Sequence, residues 1–198
     1  MSPSGLVTTF AGSGSTTYAD GASTAAGIYR PRGLAIDSQG YLYLGDNLYI
    51  RKIAPTGVVT TLAGSGSATI TDGYGTSASF YNPTGIAVDT RGLVYVADQS
   101  NHVVRVISPA GYASTLAGTG SANYVDGTGT FAKFYNPIGV GVDSNGNVYE
   151  TDSTYGVIRK ISQTGAHFND AARDRFHLSV CTLSLFSITG LSYLLLVR

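Results

Sequence analysis

One segment recurs three times along the 198-residue chain. The motif Pro-x-Gly-(Leu/Ile/Val)-(Ala/Gly)-(Ile/Val)-Asp occupies residues 31–37, 83–89 and 137–143, so its copies are 52 and 54 residues apart. A fixed period of this size indicates one supersecondary unit that is repeated, and it constrains the fold more than any single residue does. A side chain present in every copy is therefore expected to be architectural before it is expected to be catalytic.

The second copy divides into four short apolar runs, at residues 85–89, 93–97, 103–107 and 112–116. The runs are rich in β-branched and aromatic residues, and Gly, Pro, Asn and Asp turn signals separate them, which predicts a four-stranded antiparallel meander. Such a sheet has two apolar faces, so copies must stack around an axis to bury them. The pattern predicts an all-β protein built from β-propeller blades, with no helix between residues 5 and 165.

The framework of the copies resembles the NHL repeat. In the second copy the resemblance rests on residues 80–89, 94–98 and 101–107, where the pair Asn101-His102 is typical of the family. Copies one and three keep the proline, the strand tyrosine, an aspartate and the Arg-Lys-Ile end of the third strand. The resemblance covers roughly residues 5–165 and implies blades of a propeller that usually has six, in domains that bind proteins or RNA, with some enzymes among the relatives.

Three copies imply a partial, open or three-repeat propeller. We place the copies near residues 31–64, 83–118 and 137–165, and we expect residues 5–12 to form a fourth strand, because they match 57–64 and 111–118. The third copy lacks this strand, since the pattern stops after Gly165. The chain is then either part of a longer array or one half of a head-to-tail homodimer in which the leading strand completes the open blade.

Residues 166–198 match no part of the repeat. Within this tail, residues 178–197 carry no charge over twenty positions, a length that suits one bilayer crossing. A segment packed on the propeller edge and an unstructured or spurious tail are the alternatives. Membrane contact through 178–197 is therefore an expectation, and no signal peptide is visible at the N-terminus, so the compartment stays open.

Composition narrows the classes of partner. The chain has 12 basic and 12 acidic residues and a net charge of zero, so no basic surface for nucleic acid is expected. It has 26 glycines and 14 tyrosines, which favours recognition of a protein or a glycan by adaptable loops. The sequence shows no cofactor motif, no catalytic constellation and no complete metal site.

Two sets of repeated polar residues have different expected roles. The strand-end aspartates and third-strand arginines can pair across one hairpin and bind turn amides, so we interpret them as structural; they are Asp46, Asp98, Asp152, Arg51, Arg105 and Arg159. The inter-blade loops carry tyrosines and aspartates that we interpret as candidate binding residues; they are Tyr18, Tyr74, Tyr124, Asp20, Asp72 and Asp126.

A few residues break the repeat. Glu150, the only glutamate, replaces Leu44 and Val96, and we expect it to be exposed on an edge blade. His102 has no equivalent in the other copies and is expected to be exposed on its turn. A non-catalytic binding module is the favoured function, because a metal-dependent lactonase or hydrolase, the alternative, needs ligands unique to single blades that converge on the channel.

Overall fold

The computed structural model describes residues 5–162 and shows an all-β protein. Three antiparallel sheets follow one another along the chain, each a β-propeller blade, which confirms the predicted fold class. Blade 1 has the strand order β1-β5-β4-β3-β2, from outside to inside. Its strands are β1 (Gly21–Ala22), β2 (Pro31–Ile36), β3 (Leu42–Asp46), β4 (Tyr49–Ile53) and β5 (Val58–Ala63).

Blade 2 repeats this order as β6-β10-β9-β8-β7, and the described part of blade 3 has the order β11-β12-β13. The strands of blade 2 are β6 (Gly73–Tyr74), β7 (Pro83–Val88), β8 (Val94–Asp98), β9 (Val103–Ile107) and β10 (Tyr112–Ala117). Those of blade 3 are β11 (Pro137–Val142), β12 (Val148–Asp152) and β13 (Val157–Ile161).

The structure differs from the predicted meander in its short elements. The inter-blade loops add a two-residue strand, β1 or β6, that pairs with the fourth long strand of blades 1 and 2. The expectation of no helix was wrong in detail, because four 3-10 turns of three residues are present; they are Ser23–Ala25, Gly75–Ser77, Gln99–Asn101 and Gly129–Phe131. Single 3-10 turns need no amphipathic period, so the periodicity of the sequence does not reveal them.

The segment 5–12 was expected to be a fourth strand, and the structure assigns it no strand. Isolated β-structure needs a neighbouring strand to hydrogen-bond with, and no described strand pairs with this segment. Its end is nevertheless anchored like those of β5 and β10: the N–H of Gly12 donates to the carbonyl of Ser23 at 3.0 Å. The sequence match therefore predicted the position of this segment relative to the next loop, but not its pairing.

In residues 5–162, two of the three buried apolar clusters lie between blades, and the third lies on the side of blade 1 that faces away from blade 2. One buried cluster joins Ile50 and Ala63 of blade 1 to Phe80, Val94 and Val96 of blade 2. A second joins Val104 and Ala117 of blade 2 to Phe134 and Val148 of blade 3. At these two internal junctions, facing blades thus bury apolar faces against each other, as expected for sheets that cannot bury them alone.

The repeated glycine of the Pro-x-Gly motif is required by the close approach of the innermost strands. A Cβ on Gly33 would overlap the carbonyl oxygen of Thr84 in the next blade, and a Cβ on Gly85 would overlap that of Ile138. The innermost strands therefore meet backbone to backbone. This contact explains why the motif keeps glycine where neighbouring positions accept several apolar residues.

Among residues 5–162, no helix is long and apolar enough to cross a membrane. The segment 178–197 lies outside the described residues, as do the predicted tail 166–198 and the end of the third copy, 163–165. Membrane contact through 178–197 stays a prediction.

We expect Gly85→Ala to lower the free energy of unfolding by about 1–3 kcal/mol, because the new methyl group must push two backbones apart. The matched control is Gly141→Ala, on the same kind of strand, where a Cβ would meet no atom within 4 Å and where the other copies already carry Ala35 and Ala87. Urea denaturation of both variants measures the difference. Equal stability of the two would contradict the proposed close contact.

Candidate functional site

One face of the blades, here called the loop face, collects the long connections. It comprises the inter-blade loops 12–30, 64–82 and 118–136 and the turns 47–48, 99–102 and 153–156 between the second and third long strands. Antiparallel strands place these connections at the same end of each sheet. Functional residues gather on such loops when a rigid scaffold positions them, so this face is the place to look for a site.

A buried arginine holds each inter-blade loop in place. In blade 2 the Arg105 side chain is fully buried. It donates to the carbonyls of Ser79 at 2.8 Å and Thr71 at 2.9 Å, and to the Asp72 carboxylate at 2.9 Å. Thr71 and Ser79 form an isolated β-bridge, so Arg105 ties together the two sides of the loop at its neck.

The strand-end aspartate holds the other end of the same loop. Asp98 is buried and accepts hydrogen bonds from the Tyr81 N–H at 2.8 Å and from Asn101 Nδ2 at 2.9 Å, and it lies 3.4 Å from Arg105. Burial raises the pKa of Asp98 to about 6, against the opposing effect of these hydrogen bonds and of Arg105. Asp98 and Arg105 thus contact the loop backbone more than they contact each other.

The other blades repeat this arrangement with one difference. Arg51 lies 3.1 Å from Asp46 and 2.8 Å from Asp20. Arg159 lies 2.6 Å from Asp126, but among residues 5–162 it forms no ion pair with Asp152. Asp152 instead accepts from the N–H groups of Tyr135, Thr154 and Tyr155.

The loop aspartates predicted as candidate binding residues are therefore engaged with the scaffold. Asp20, Asp72 and Asp126 each pair with the arginine of their own blade. In blades 1 and 2 they also accept a hydrogen bond from Thr61 or Thr115 of the fourth long strand. Asp20 and Asp72 are thus bound to the scaffold while their side chains are 51% and 44% exposed, and the Asp126 side chain is 85% exposed.

The three candidate tyrosines occupy separate positions. Tyr18 stacks on Tyr49 with ring centroids 3.7 Å apart and also contacts Arg51. Tyr74 lies on β6 and packs edge-on against Tyr112 at 4.8 Å. Tyr124 packs against Tyr155 at 5.3 Å, with the Arg159 guanidinium 4.7 Å from its ring centroid. The structure does not bring the three together; each contacts residues of its own blade.

A row of aromatic rings, missed in the sequence, spans blades 2 and 3 on the loop face. We call it the aromatic row, and it consists of His102, Tyr135, Tyr155 and Tyr124. Successive ring centroids are 5.4, 6.1 and 5.3 Å apart. Tyr124 and Tyr155 are 42% and 46% exposed, so the row presents an accessible aromatic edge. The recurrence of tyrosine at 29, 81 and 135 is the signal that could have located part of it.

His102 links the row to the scaffold. It is only partly exposed, and its backbone adopts the left-handed conformation with φ 56°, as does Gly156 with φ 65° at the equivalent turn position. Its Nδ1 accepts a hydrogen bond from the Asn136 N–H at 3.2 Å. Burial lowers the pKa of His102, which favours the neutral imidazole that this hydrogen bond requires.

Glu150 was expected to be exposed, and this expectation was wrong. The residue is fully buried on β12, opposite Val140 and Arg159 in the sheet register. Neither carboxylate oxygen has a hydrogen-bond partner within the described part of the chain. Burial, and then the nearby Asp152 charge, raise its pKa to about 8, with Arg159 opposing the shift. Its strand faces blade 2 rather than solvent, because the apolar position that it replaces belongs to a blade junction.

Comparison with known families agrees with the repeat pattern. Residues 80–107 match the sequence profile of the NHL repeat, and residues 12–74 match that of the teneurin NHL domain. The first two copies match NHL models, so the chain contains NHL repeats. NHL repeat-containing protein 2 from Gallus gallus is 34% identical over 167 residues, which cover 75% of this chain and 23% of that protein. This chain therefore spans about a quarter of the length of that relative.

Solved structures with similar folds come from Bacteroides. A protein of unknown function from Bacteroides thetaiotaomicron is 30% identical with a TM-score of 0.60, covering 66% of this chain and 34% of that one. An auxiliary nutrient binding protein from Bacteroides ovatus is 26% identical with a TM-score of 0.54, covering 62% of this chain and 34% of that one. In each case this NHL-repeat chain corresponds to about a third of the other molecule.

We expect Arg105→Met to lower the free energy of unfolding by about 3–5 kcal/mol, because it leaves the buried Asp98 carboxylate and two loop carbonyls without their partner. Arg91→Met is the matched control on the same blade: Arg91 pairs with Asp89 at 2.7 Å, but its side chain is 44% exposed, so a loss of at most about 1 kcal/mol is expected. Guanidinium denaturation distinguishes the two. Similar losses would show that Arg105 does not hold the loop.

Glu150 makes stability depend on pH. Between its ordinary pKa of 4.5 and about 8, the folded protein keeps a proton that the unfolded chain has lost. Its contribution to the free energy of unfolding is therefore fully present below pH 4.5, falls as the pH rises through this window, and stays at its minimum above it. Glu150→Gln removes this titration. The free energy of unfolding of the variant should therefore rise relative to that of the wild type between pH 5 and pH 8.

Glu150→Leu, which restores the residue type of Leu44, should in addition raise the free energy of unfolding by about 1–3 kcal/mol at pH 5, because it removes a buried carboxyl group without partners. Urea denaturation at both pH values measures the two effects. Comparison with the wild type at each pH cancels the titration of Asp98. A stability difference that is the same at pH 5 and pH 8 would contradict a buried, proton-carrying Glu150.

Proposed function

We propose that this NHL-repeat chain is a non-catalytic binding module that recognises a protein through its loop face. The observation that carries the proposal is the aromatic row, which exposes Tyr124 and Tyr155 next to each other on rigidly anchored loops. Tyrosine supplies large, amphipathic contact area at low entropic cost, and it is enriched where proteins bind proteins. A row that spans two blades offers more contact area than a single exposed ring.

The ring geometry favours a polypeptide over a glycan. Within the row the interplanar angles are 44°, 85° and 35°, so the rings turn edges and faces toward one another. A sugar ring needs a flat, open aromatic face to stack on, whereas an irregular aromatic surface accommodates peptide side chains and backbone. Binding to a glycan, the other expected ligand class, is the alternative result that the experiment below can give.

The propeller fold alone does not decide between binding and catalysis, because one fold hosts many functions. The enzymatic alternative, a metal-dependent lactonase or hydrolase, has no specific observation in its favour: residues 5–162 contain no group of three or more His, Cys, Asp or Glu side chains that could hold a metal ion. A non-catalytic role also agrees with the engagement of Asp20 and Asp72 by the scaffold. The Bacteroides ovatus relative, whose name describes binding, is consistent with this proposal.

The test is selection of binding peptides by the immobilised 198-residue chain from a displayed library of random peptides, with a glycan array as a parallel arm. For the selected peptides, Tyr155→Ala should weaken binding at least tenfold, because truncating a central interface tyrosine costs about 2 kcal/mol or more. Tyr29→Ala is the matched control, since Tyr29 is 37% exposed and lies on blade 1, outside the aromatic row.

Calorimetry measures the affinities, and thermal unfolding verifies that both variants remain folded. Equal loss of affinity in the two variants would place the site elsewhere on the protein. Binding confined to the glycan array would replace the polypeptide with a sugar as the ligand.

A further inference from the structure

The two internal blade junctions bury equivalent residues. On the side of a blade that faces the next one, Ile50 of blade 1 and Val104 of blade 2 are fully buried. On the side that faces the preceding blade, Ile86 of blade 2 is 7% exposed. The same positions at the two ends of the described array are open: Ile158 of blade 3 is 74% exposed and Leu34 of blade 1 is 58% exposed. Each end therefore presents one half of a junction that this chain forms twice internally.

The open side of blade 1 is an apolar groove. It is lined by Phe10, Ile28, Leu34 and Leu42, among other residues. The corresponding side of blade 2 is covered by Ile50 and Ala63 of the blade before it. The repeat itself thus shows what covers this groove: the trailing side of another NHL blade, with an exposed isoleucine in the place of Ile50.

The segment 5–12 carries the features of the outermost long strand of such a blade. It aligns with 57–64 and 111–118, and its terminal glycines repeat the left-handed backbone: φ is 62°, 85° and 87° at Gly5, Gly57 and Gly111. At the other end φ is 100°, 123° and 108° at Gly12, Gly64 and Gly118. The N–H of each of these last glycines donates to a carbonyl of the following 3-10 turn. The segment is therefore held where the fourth long strand of a preceding blade would lie.

Blade 3 has the complementary deficiency among the described residues. Its sheet ends at β13, while in blades 1 and 2 the equivalent strands, β4 and β9, pair with a further strand. The groove beside β13 is lined by Ala117, Tyr124, Asp126, Ile158 and Arg159. Asp20 and Asp72 each accept a hydrogen bond from a threonine of the fourth long strand, Thr61 or Thr115. In the described part of the chain, Asp126 has no such threonine beside it. Thr9 stands at the position of Thr61 and Thr115 in the alignment.

We propose that two copies of this chain join head to tail at both ends, so that residues 5–12 of each copy form the outer strand of blade 3 of the other. One placement satisfies both observations, because the blade that covers the groove of blade 1 is also the blade that segment 5–12 completes. The internal registers Lys52–Thr60 and Val106–Ser114 place Thr8 opposite Lys160, and Thr9 opposite Arg159 and near Asp126. Two copies with both junctions formed make a closed ring of six blades.

The net charge of the chain and an exposed valine of segment 5–12 suit a second copy. The chain has no net charge, so two copies do not repel each other strongly. Val7, which is 90% exposed, would be covered in the position of the buried Val59, whereas Leu6, which is 75% exposed, would take the position of Val58, which is 40% exposed. The residues 166–172 of the same chain are a competing occupant in sequence, but they place His167 where the other blades have Val59 and Ala113.

Disulfide trapping tests the register in the full 198-residue chain with Cys181→Ser. Directly opposed residues of an antiparallel pair are close enough for a disulfide. We expect a mixture of the single variants Thr8→Cys and Lys160→Cys to form a covalent heterodimer on oxidation. The matched control is Val7→Cys mixed with Lys160→Cys, which is out of register by one residue and points its thiol to the other face of the strand.

Sedimentation over a range of concentrations tests the assembly. The wild type should have the mass of two copies, and Ile158→Glu should shift it to one copy with little change in thermal unfolding of the monomer, because Ile158 is exposed there. Ile70→Glu, at a loop residue that is 41% exposed, is the control and should remain dimeric.

Four results would overturn the proposal. They are a wild type that is monomeric at all concentrations, open-ended larger assemblies, cross-linking that is equal in and out of register, and a disulfide within one chain in the double variant Thr8→Cys/Lys160→Cys with no heterodimer in the mixture. The last would show that three blades close on themselves.

Discussion

The structure depends on one buried cation per blade. Arg51, Arg105 and Arg159 lie on the third long strand, and each reaches across its sheet to the neck of the loop that enters the same blade. A guanidinium is suited to this task, since it presents several donors in a fixed plane and stays charged when buried. A loop of about seventeen residues that contains only a two-residue strand and one 3-10 turn, such as 64–80, is thereby fixed at its two sides. The buried arginines thereby anchor the loops of the loop face, and the exposed tyrosines lie on these anchored loops.

The second constraint is the contact between blades, which acts on backbone and side chains together. The innermost strands approach so closely that Gly33 and Gly85 have no space for a Cβ, while farther out the apolar clusters join one blade to the next. Stability in such an array comes from neighbouring junctions as well as from single blades. In the described part of the chain, the blade at either end therefore presents an open half-junction, at Leu34 in blade 1 and at Ile158 in blade 3. This is the feature on which the proposed assembly rests.

Some residues of blade 3 differ from their equivalents in blades 1 and 2, and these differences change local contacts. Blade 3 replaces an apolar junction residue with Glu150 and separates Asp152 from Arg159. Its exposed Tyr124 and Tyr155 pack together beside Arg159. The buried carboxyl group makes the junction between blades 2 and 3 sensitive to pH, while the aromatic row crosses that same junction on the loop face. The proposed binding at the row and the packing beneath it consequently involve the same pair of blades.

The sequence by itself determined the strands, the blade repeat, the family and the structural position of the Asp and Arg pairs, because these follow from local turn chemistry, alternating apolar residues and a period that three copies display. It did not determine what the loop aspartates do: Asp20 and Asp72 resembled ligand-binding residues until the fold placed an arginine against each. Glu150 seemed suited to an edge, and only the packing of blade 3 against blade 2 showed it to be buried. The aromatic row joins residues from 102 to 155 on two blades. Its contact between His102 and Tyr135 depends on how blades 2 and 3 stack, and stacking is a property of tertiary structure that no local pattern encodes.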